Sequence, residues 1–222
     1  ATTATTSNGA HTHGGAVASD GAHTHNVTLA GSWDVATSGD GSLSFGSVGC
    51  VLKTGAANGS EAGIAKRPLA QNIIRFDRPQ RFRTAFRLSS VTNQTIYIAK
   101  GGTVQVGSSL RYFGFRIIGN ALFGTVENNN AGVRTNLDLG QTLLTAITYE
   151  VEARLIPGER VIFLVKNSTT GEFEQRGVIA TLGAAGIPTG GLQTDFFELY
   201  ITNSAAGDKQ LTVSYVEYVQ ER

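Results

Sequence analysis

The chain has 222 residues, a length that suits one all-β domain with an attached segment, and its 28 glycines promise many tight bends. Charged residues make up only 16% and the formal net charge is +1, so bulk composition gives no support for nucleic-acid binding. No apolar run is long enough for a membrane-spanning helix, no charged-then-apolar leader marks a signal peptide, and the start at Ala1 without any methionine suggests a piece of a longer polypeptide.

Residues 1–29 are built from Ala, Thr, Ser, Gly, Asn and His, with Val17, Val27 and Leu29 the only large apolar side chains. Such a segment buries too little surface to offset its own ordering entropy. It does, however, contain a repeat: Gly9-Ala10-His11-Thr12-His13 returns as Gly21-Ala22-His23-Thr24-His25, and the two copies hold all 4 histidines of the chain. In an extended segment, residues at i and i+2 project to the same side, so each copy presents a pair of imidazoles. One pair is too few to hold a transition metal well, although imidazole is a favoured ligand for zinc, copper, iron and nickel. Parallel chains around a three-fold axis would bring enough imidazoles to one level for octahedral coordination. The expectation is therefore a trimerising stalk over 1–29, with His11, His13, His23 and His25 as metal ligands on the axis. From ligand type alone zinc or nickel would serve, although zinc usually takes four ligands.

From residue 30 to 222 the character changes to short alternating runs punctuated by glycine, asparagine and serine. Cys50, the single cysteine, excludes an intrachain disulfide framework and reads as a small buried hydrophobe. Arg81–Leu88 places Phe82, Phe86 and Leu88 on one face and Arg81, Arg83 and Arg87 on the other. Thr95–Ala99 is a short apolar strand. Tyr112–Ile118 and Ala121–Val126 form a pair joined at Gly119-Asn120, a hairpin type of turn. Ile147–Leu155 alternates strictly, Pro157-Gly158 supplies a type II turn, and Val161–Val165 returns. Strands follow from Glu172 to about Val178, around Phe197–Ile201, and over Leu211–Val216. No window shows the helical apolar period with caps. The expected fold is an all-β antiparallel two-sheet sandwich.

Two resemblances bear on these residues. The duplicated Gly-Ala-His-Thr-His resembles the His-x-His motif of trimeric bacteriophage tail-fibre tips. That resemblance implies an interwoven homotrimer with iron(II) held on the axis by the histidines, a place in the virion alongside other virion proteins, and attachment to a host-cell receptor. The 30–222 segment is similar to the concanavalin-A-like jelly roll of lectin and laminin-G type. The likeness lies in Trp33-Asp34-Val35, Gly39-Asp40-Gly41-Ser42, Leu52-Lys53-Thr54-Gly55 with Ser60–Ala65, the Pro157-Gly158 hairpin and the terminal strand. It implies a head that binds carbohydrate. No acidic–asparagine calcium cluster of the legume type is present, and Asn128-Asn129-Asn130 reads as a polar loop tip.

The remaining candidates concern ligands and catalysis. Arg67, Arg75, Arg78, Arg81, Arg83 and Arg87 form a basic stretch opposed locally only by Asp77. Guanidinium forks suit acidic glycans, but such a run is more often a solvated face or one paired with carboxylates such as Glu150 and Glu152. Trp33, Tyr97, Tyr112, Phe113 and Tyr200 are candidate sugar platforms, although most aromatics here belong to the core. The expected ligand contacts are Trp33, Tyr112, Arg81, Arg83 and Arg87. Glu150 and Glu152 share a strand face, as a glycosidase pair would, but Arg154 follows where a third acid is usual, and a charge ladder explains them without chemistry. The glycine pairs 101–102 and 190–191 lack a nucleotide-site context. The chain is expected not to be an enzyme, not to insert into membranes and not to bind nucleic acid. The alternative is a purely structural virion or extracellular filament protein, or less readily a glycan hydrolase.

Overall fold

The computed structural model describes residues 33–47, 49–66, 75–101, 111–128, 133–189 and 197–220. The chain divides at Gly31/Ser32, and every described residue belongs to the second unit. The histidine repeat lies outside the described residues, as do Arg67, Gly102, Asn129, Asn130 and the 190–191 glycine pair.

Among the described residues fourteen strands account for the regular structure: β1 Trp33–Ser38, β2 Ser42–Gly46, β3 Gly49–Lys53, β4 Glu61–Lys66, β5 Gln80–Leu88, β6 Gln94–Gly101, β7 Tyr112–Ile118, β8 Ala121–Glu127, β9 Thr135–Thr142, β10 Thr148–Ile156, β11 Arg160–Lys166, β12 Phe173–Ile179, β13 Phe197–Asn203 and β14 Gln210–Gln220. They form two seven-stranded antiparallel sheets. Sheet A has the order β1-β4-β13-β6-β7-β8-β9 and sheet B the order β12-β11-β10-β5-β14-β3-β2. No helix occurs among the described residues. The all-β jelly-roll sandwich expected from the alternation is the fold observed.

Alternation explains the sheets strand by strand. On β5, Phe82, Phe86 and Leu88 turn inward and are fully buried. On β10 the inward set is Val151, Ala153 and Leu155, and on β11 it is Val161, Phe163 and Val165. Sheet A answers with Ile96 and Ile98, Phe113, Phe115 and Ile117, and Leu199 and Ile201. Phe163 meets Phe115 edge-on at 5.7 Å between centroids, a favoured aromatic geometry. Gly124, on the inward side of β8, makes room for the Phe163 ring, since a Cβ there would lie 2.6 Å from it.

The turns follow their residues. Glu159 N donates to Ile156 O at 3.1 Å across Pro157-Gly158, and Gly158 takes a φ of 68°, as a type II turn requires. Gly119 has a φ of 59° at the first central position of the β7–β8 hairpin. Asn128 is more than a loop tip. Its amide donates to Gly183 O and Thr189 Oγ1, and its Oδ1 accepts from Thr189 N at 2.8 Å, fastening the segment after β12. Cys50 is half-buried against the core, and burial pushes its thiol up to about 11.

Candidate glycan-binding face

The outward face of sheet B is built by the register of four neighbouring strands. Ile162, Arg154, Arg81 and Val219 form one row, and Leu164, Glu152, Arg83 and Glu217 the next. Glu150, Ala85 and Tyr215 make a third row, with Lys166 beside Glu150, and Thr148, Arg87 and Thr212 a fourth. On β5, β10 and β11 the outward set alternates with the inward core set, and on β14 the residues cross-strand from it share its face.

The centre of the face is an ionic lattice. Glu152 is wholly buried; its Oε2 accepts from Arg83 Nε at 2.8 Å and Nη2 at 2.6 Å, while its Oε1 accepts from Arg154 Nε at 2.5 Å. Arg81 pairs with Glu217 at 2.5 Å. Arg83 also lies 4.5 Å from the centroid of the Phe173 ring, a cation–π distance. Glu150 accepts from Lys166 Nζ at 2.5 Å and from the Tyr215 hydroxyl at 3.0 Å. The Lys166 ammonium holds the Glu150 carboxyl below the usual range, with the Tyr215 hydrogen bond adding to it. Burial, and then the Glu150 carboxylate, push the Tyr215 phenol up to about 12, so it carries its proton at neutral pH. Arg81, Arg154, Glu217 and Tyr215 remain between about a third and a half open to solvent.

The structure brings some of the expected ligand residues together and separates others. Arg81, Arg83 and Arg87 do share this face, but Arg81 and Arg83 are engaged by carboxylates. Tyr112 does not join them. It lies on β7 in sheet A and is fully buried, its outward position on that sheet notwithstanding, so the expectation of a solvent-facing platform there is corrected. Its hydroxyl lies beside that of buried Thr125, and burial raises its pKa. Trp33 begins β1, at the far edge of sheet A. Of the other aromatic candidates, Phe113 is in the core, while Tyr97 is buried with Tyr200 6.3 Å away and Tyr200 donates to Glu61 at 2.7 Å.

Tyr215 escaped the sequence reading for a local reason. The β14–β5 register slips between Val213 and Tyr215, so Ser214 is bulged and Tyr215 faces outward. Strict alternation from Leu211 and Val213 would have sent Tyr215 into the core. Lys166 was legible as the position after Val165, but its meaning depends on Glu150 lying across the strand pair. Among the described residues no group of three or more His, Cys, Asp or Glu side chains is placed to hold a metal ion.

No protein-family model matches the chain, and no curated protein sequence matches it. Solved structures do share its fold. A protein of unknown function from Shewanella oneidensis is 13% identical with a TM-score of 0.56, covering 89% of this chain and 82% of its own. The alginate lyase from Klebsiella pneumoniae is 7% identical with a TM-score of 0.55, covering 81% and 84%. Botulinum neurotoxin type C, whose cell entry depends on interaction with two ganglioside molecules, is 11% identical with a TM-score of 0.53; the match covers 90% of this chain and 45% of the toxin chain. At these identities the likeness defines a class, the jelly-roll β-sandwich, and nothing narrower. It also corrects one expectation. The exclusion of an enzymatic role does not stand, because alginate lyases span four-fifths of this chain with the same fold.

Proposed function

We propose that the β-sandwich binds carbohydrate on the outward face of sheet B. The observation that carries this reading is the lattice centred on Glu152. Glu152 fixes the guanidiniums of Arg83 and Arg154, and on the same face Glu150 holds the Lys166 ammonium and the Tyr215 phenol, while Tyr215, Arg154 and Arg81 stay partly open to solvent. Sugar hydroxyls need directional donors and acceptors held in place, and side chains already ordered by ion pairs lose less entropy on binding. Sandwiches of this fold include a ganglioside-dependent toxin domain and polysaccharide lyases, which supports the ligand class. A glycan array probed with wild-type protein and with Tyr215→Ala tests it. Binding that Tyr215→Ala weakens several-fold supports the reading, and an array with no bound glycan contradicts it.

For the N-terminal segment we retain the stalk as a proposal: a homotrimeric, extracellular virion fibre in which His11, His13, His23 and His25 hold iron(II) on the axis. Its support is the duplicated motif and the chemistry of imidazole. Heads joined on one stalk would raise avidity over single-site affinity by roughly 10²–10⁴.

A second reading adds cleavage of the bound glycan, favoured by the alginate-lyase likeness over most of both chains. In elimination the carbon beside a uronate's carboxylate loses a proton, a C=C bond forms and the bond to the leaving sugar oxygen breaks. Glu150 would take that proton, and Tyr215, hydrogen-bonded to it and protonated at neutral pH, would supply one to the leaving oxygen. Incubation with alginate and other polyuronates, followed by assay for new chain ends, decides this. Release of ends that Tyr215→Phe abolishes supports cleavage, and intact polymer after prolonged incubation contradicts it.

A further inference from the structure

One corner of the same face has a different electrostatic character. In the fourth row Arg87 stands between Thr148 on β10 and Thr212 on β14, with both hydroxyl residues directly across from it. Thr212 is also paired with Val51 on β3, two residues before Lys53, and Lys53 alternates with buried Leu52 and so faces outward too. Arg87 is exposed and Lys53 half-buried. Elsewhere on the face the cations are neutralised: Arg83 and Arg154 by Glu152, Arg81 by Glu217, Lys166 by Glu150. Arg87 and Lys53 form no ion pair with any described residue. Asp208, the acidic residue nearest in chain to β14's start, is occupied by Gly55 N and Gln210 Nε2, both at 3.1 Å.

We propose that Arg87 and Lys53, with the hydroxyls of Thr148 and Thr212, form an anion subsite that selects glycans carrying a carboxylate. The proposal rests on the glycan-binding reading above and names its ligand class. Two strand spacings and two residues separate Arg87 from Lys53, on the order of 12 Å between Cα atoms, within reach of two long side chains converging on one group. A carboxylate offers two oxygens, which matches a guanidinium fork flanked by hydroxyl donors. The rest of the face cannot supply this selectivity, since a further anion there would meet Glu150, Glu152 and Glu217.

The test uses the full chain and a matched pair of probes, oligogalacturonates and the same oligomers as methyl esters, in which each carboxylate is replaced by an uncharged ester. Wild-type protein is expected to bind the acid about ten-fold more tightly than the ester, the scale of one charged hydrogen-bonded contact. Arg87→Gln and Lys53→Gln each reduce that preference several-fold, and the double variant erases it while ester binding stays unchanged. Arg75→Gln, which removes a charge in the segment before β5, leaves the preference intact. Acid preference that survives in the double variant overturns the subsite. Equal wild-type binding of acid and ester also overturns it but leaves glycan binding standing. Wild-type protein that binds neither overturns the subsite for uronates, while the glycan-binding reading falls only if the array also shows no bound glycan.

Discussion

Arg83 on β5 directs both Nε and Nη2 onto a single oxygen of Glu152, its cross-strand partner on β10, and the carboxylate is wholly buried. A carboxylate out of water is costly unless its oxygens are satisfied, and here two guanidiniums satisfy them. The pair therefore orders the face more than it stabilises the fold. Arg83→Ala leaves Glu152 with Arg154 alone and should cost about 2–3 kcal/mol in urea unfolding. That lies at or below the low end of the range for a broken buried pair, because Arg83 is itself about a quarter exposed and Arg154 persists. Glu152→Met, which removes the buried charge, should cost less than Arg83→Ala.

Glu150 makes a pH-dependent contribution. Its folded-state pKa is depressed by Lys166, so its stabilisation is present above the unfolded value, near 4.3, and is lost as pH falls through the lower folded value. Wild-type melting temperature should drop on acidification through that window. The Glu150→Gln variant should show a shallower drop there and the same curve shape above pH 6. Identical acid limbs for the two proteins would assign the loss to other carboxylates.

Gly124→Ala tests the core. The added methyl would sit 2.6 Å from the Phe163 ring, which is itself held edge-on by Phe115. Overpacking of this kind costs about 1–3 kcal/mol. Pairing the change with Phe163→Leu should recover part of the loss, so the double variant should be more stable than the sum of the single changes predicts.

The sequence made the sandwich legible wherever alternation was strict. Phe82, Phe86 and Leu88 against Arg81, Arg83 and Arg87 declared both faces of β5, and Pro157-Gly158 declared the β10–β11 turn. Pairing of the arginine run with Glu150-type carboxylates was also foreseeable, although Glu217 as the partner of Arg81 was not. β9 was missed: Thr135–Thr142 is polar at most positions and lies at a sheet edge, where only Leu137 and Leu139 turn toward the core. The site was harder to read than the fold. Tyr112 was a candidate sugar platform as an aromatic residue, yet it is buried. Tyr215 was not singled out, and the bulge at Ser214 turns it outward. A face is set by register between strands distant in sequence, and local pattern fixes register only when no residue is bulged.

The stalk proposal has its own consequence. If imidazoles from three chains share a metal, native mass spectrometry should show a trimer carrying iron. Chelation, or His13→Ala with His25→Ala, should lower its melting temperature through loss of ligand linkage. A monomer without bound metal would contradict it.

The most direct test of carbohydrate binding on sheet B is a chemical-shift perturbation map recorded with a glycan that the array identifies. Shifts should concentrate at Thr148, Glu150, Arg83, Arg87, Thr212 and Tyr215, on β5, β10 and β14. Shifts confined to sheet A strands, around Tyr97, Tyr112 and Tyr200, would place the ligand elsewhere and contradict the assignment.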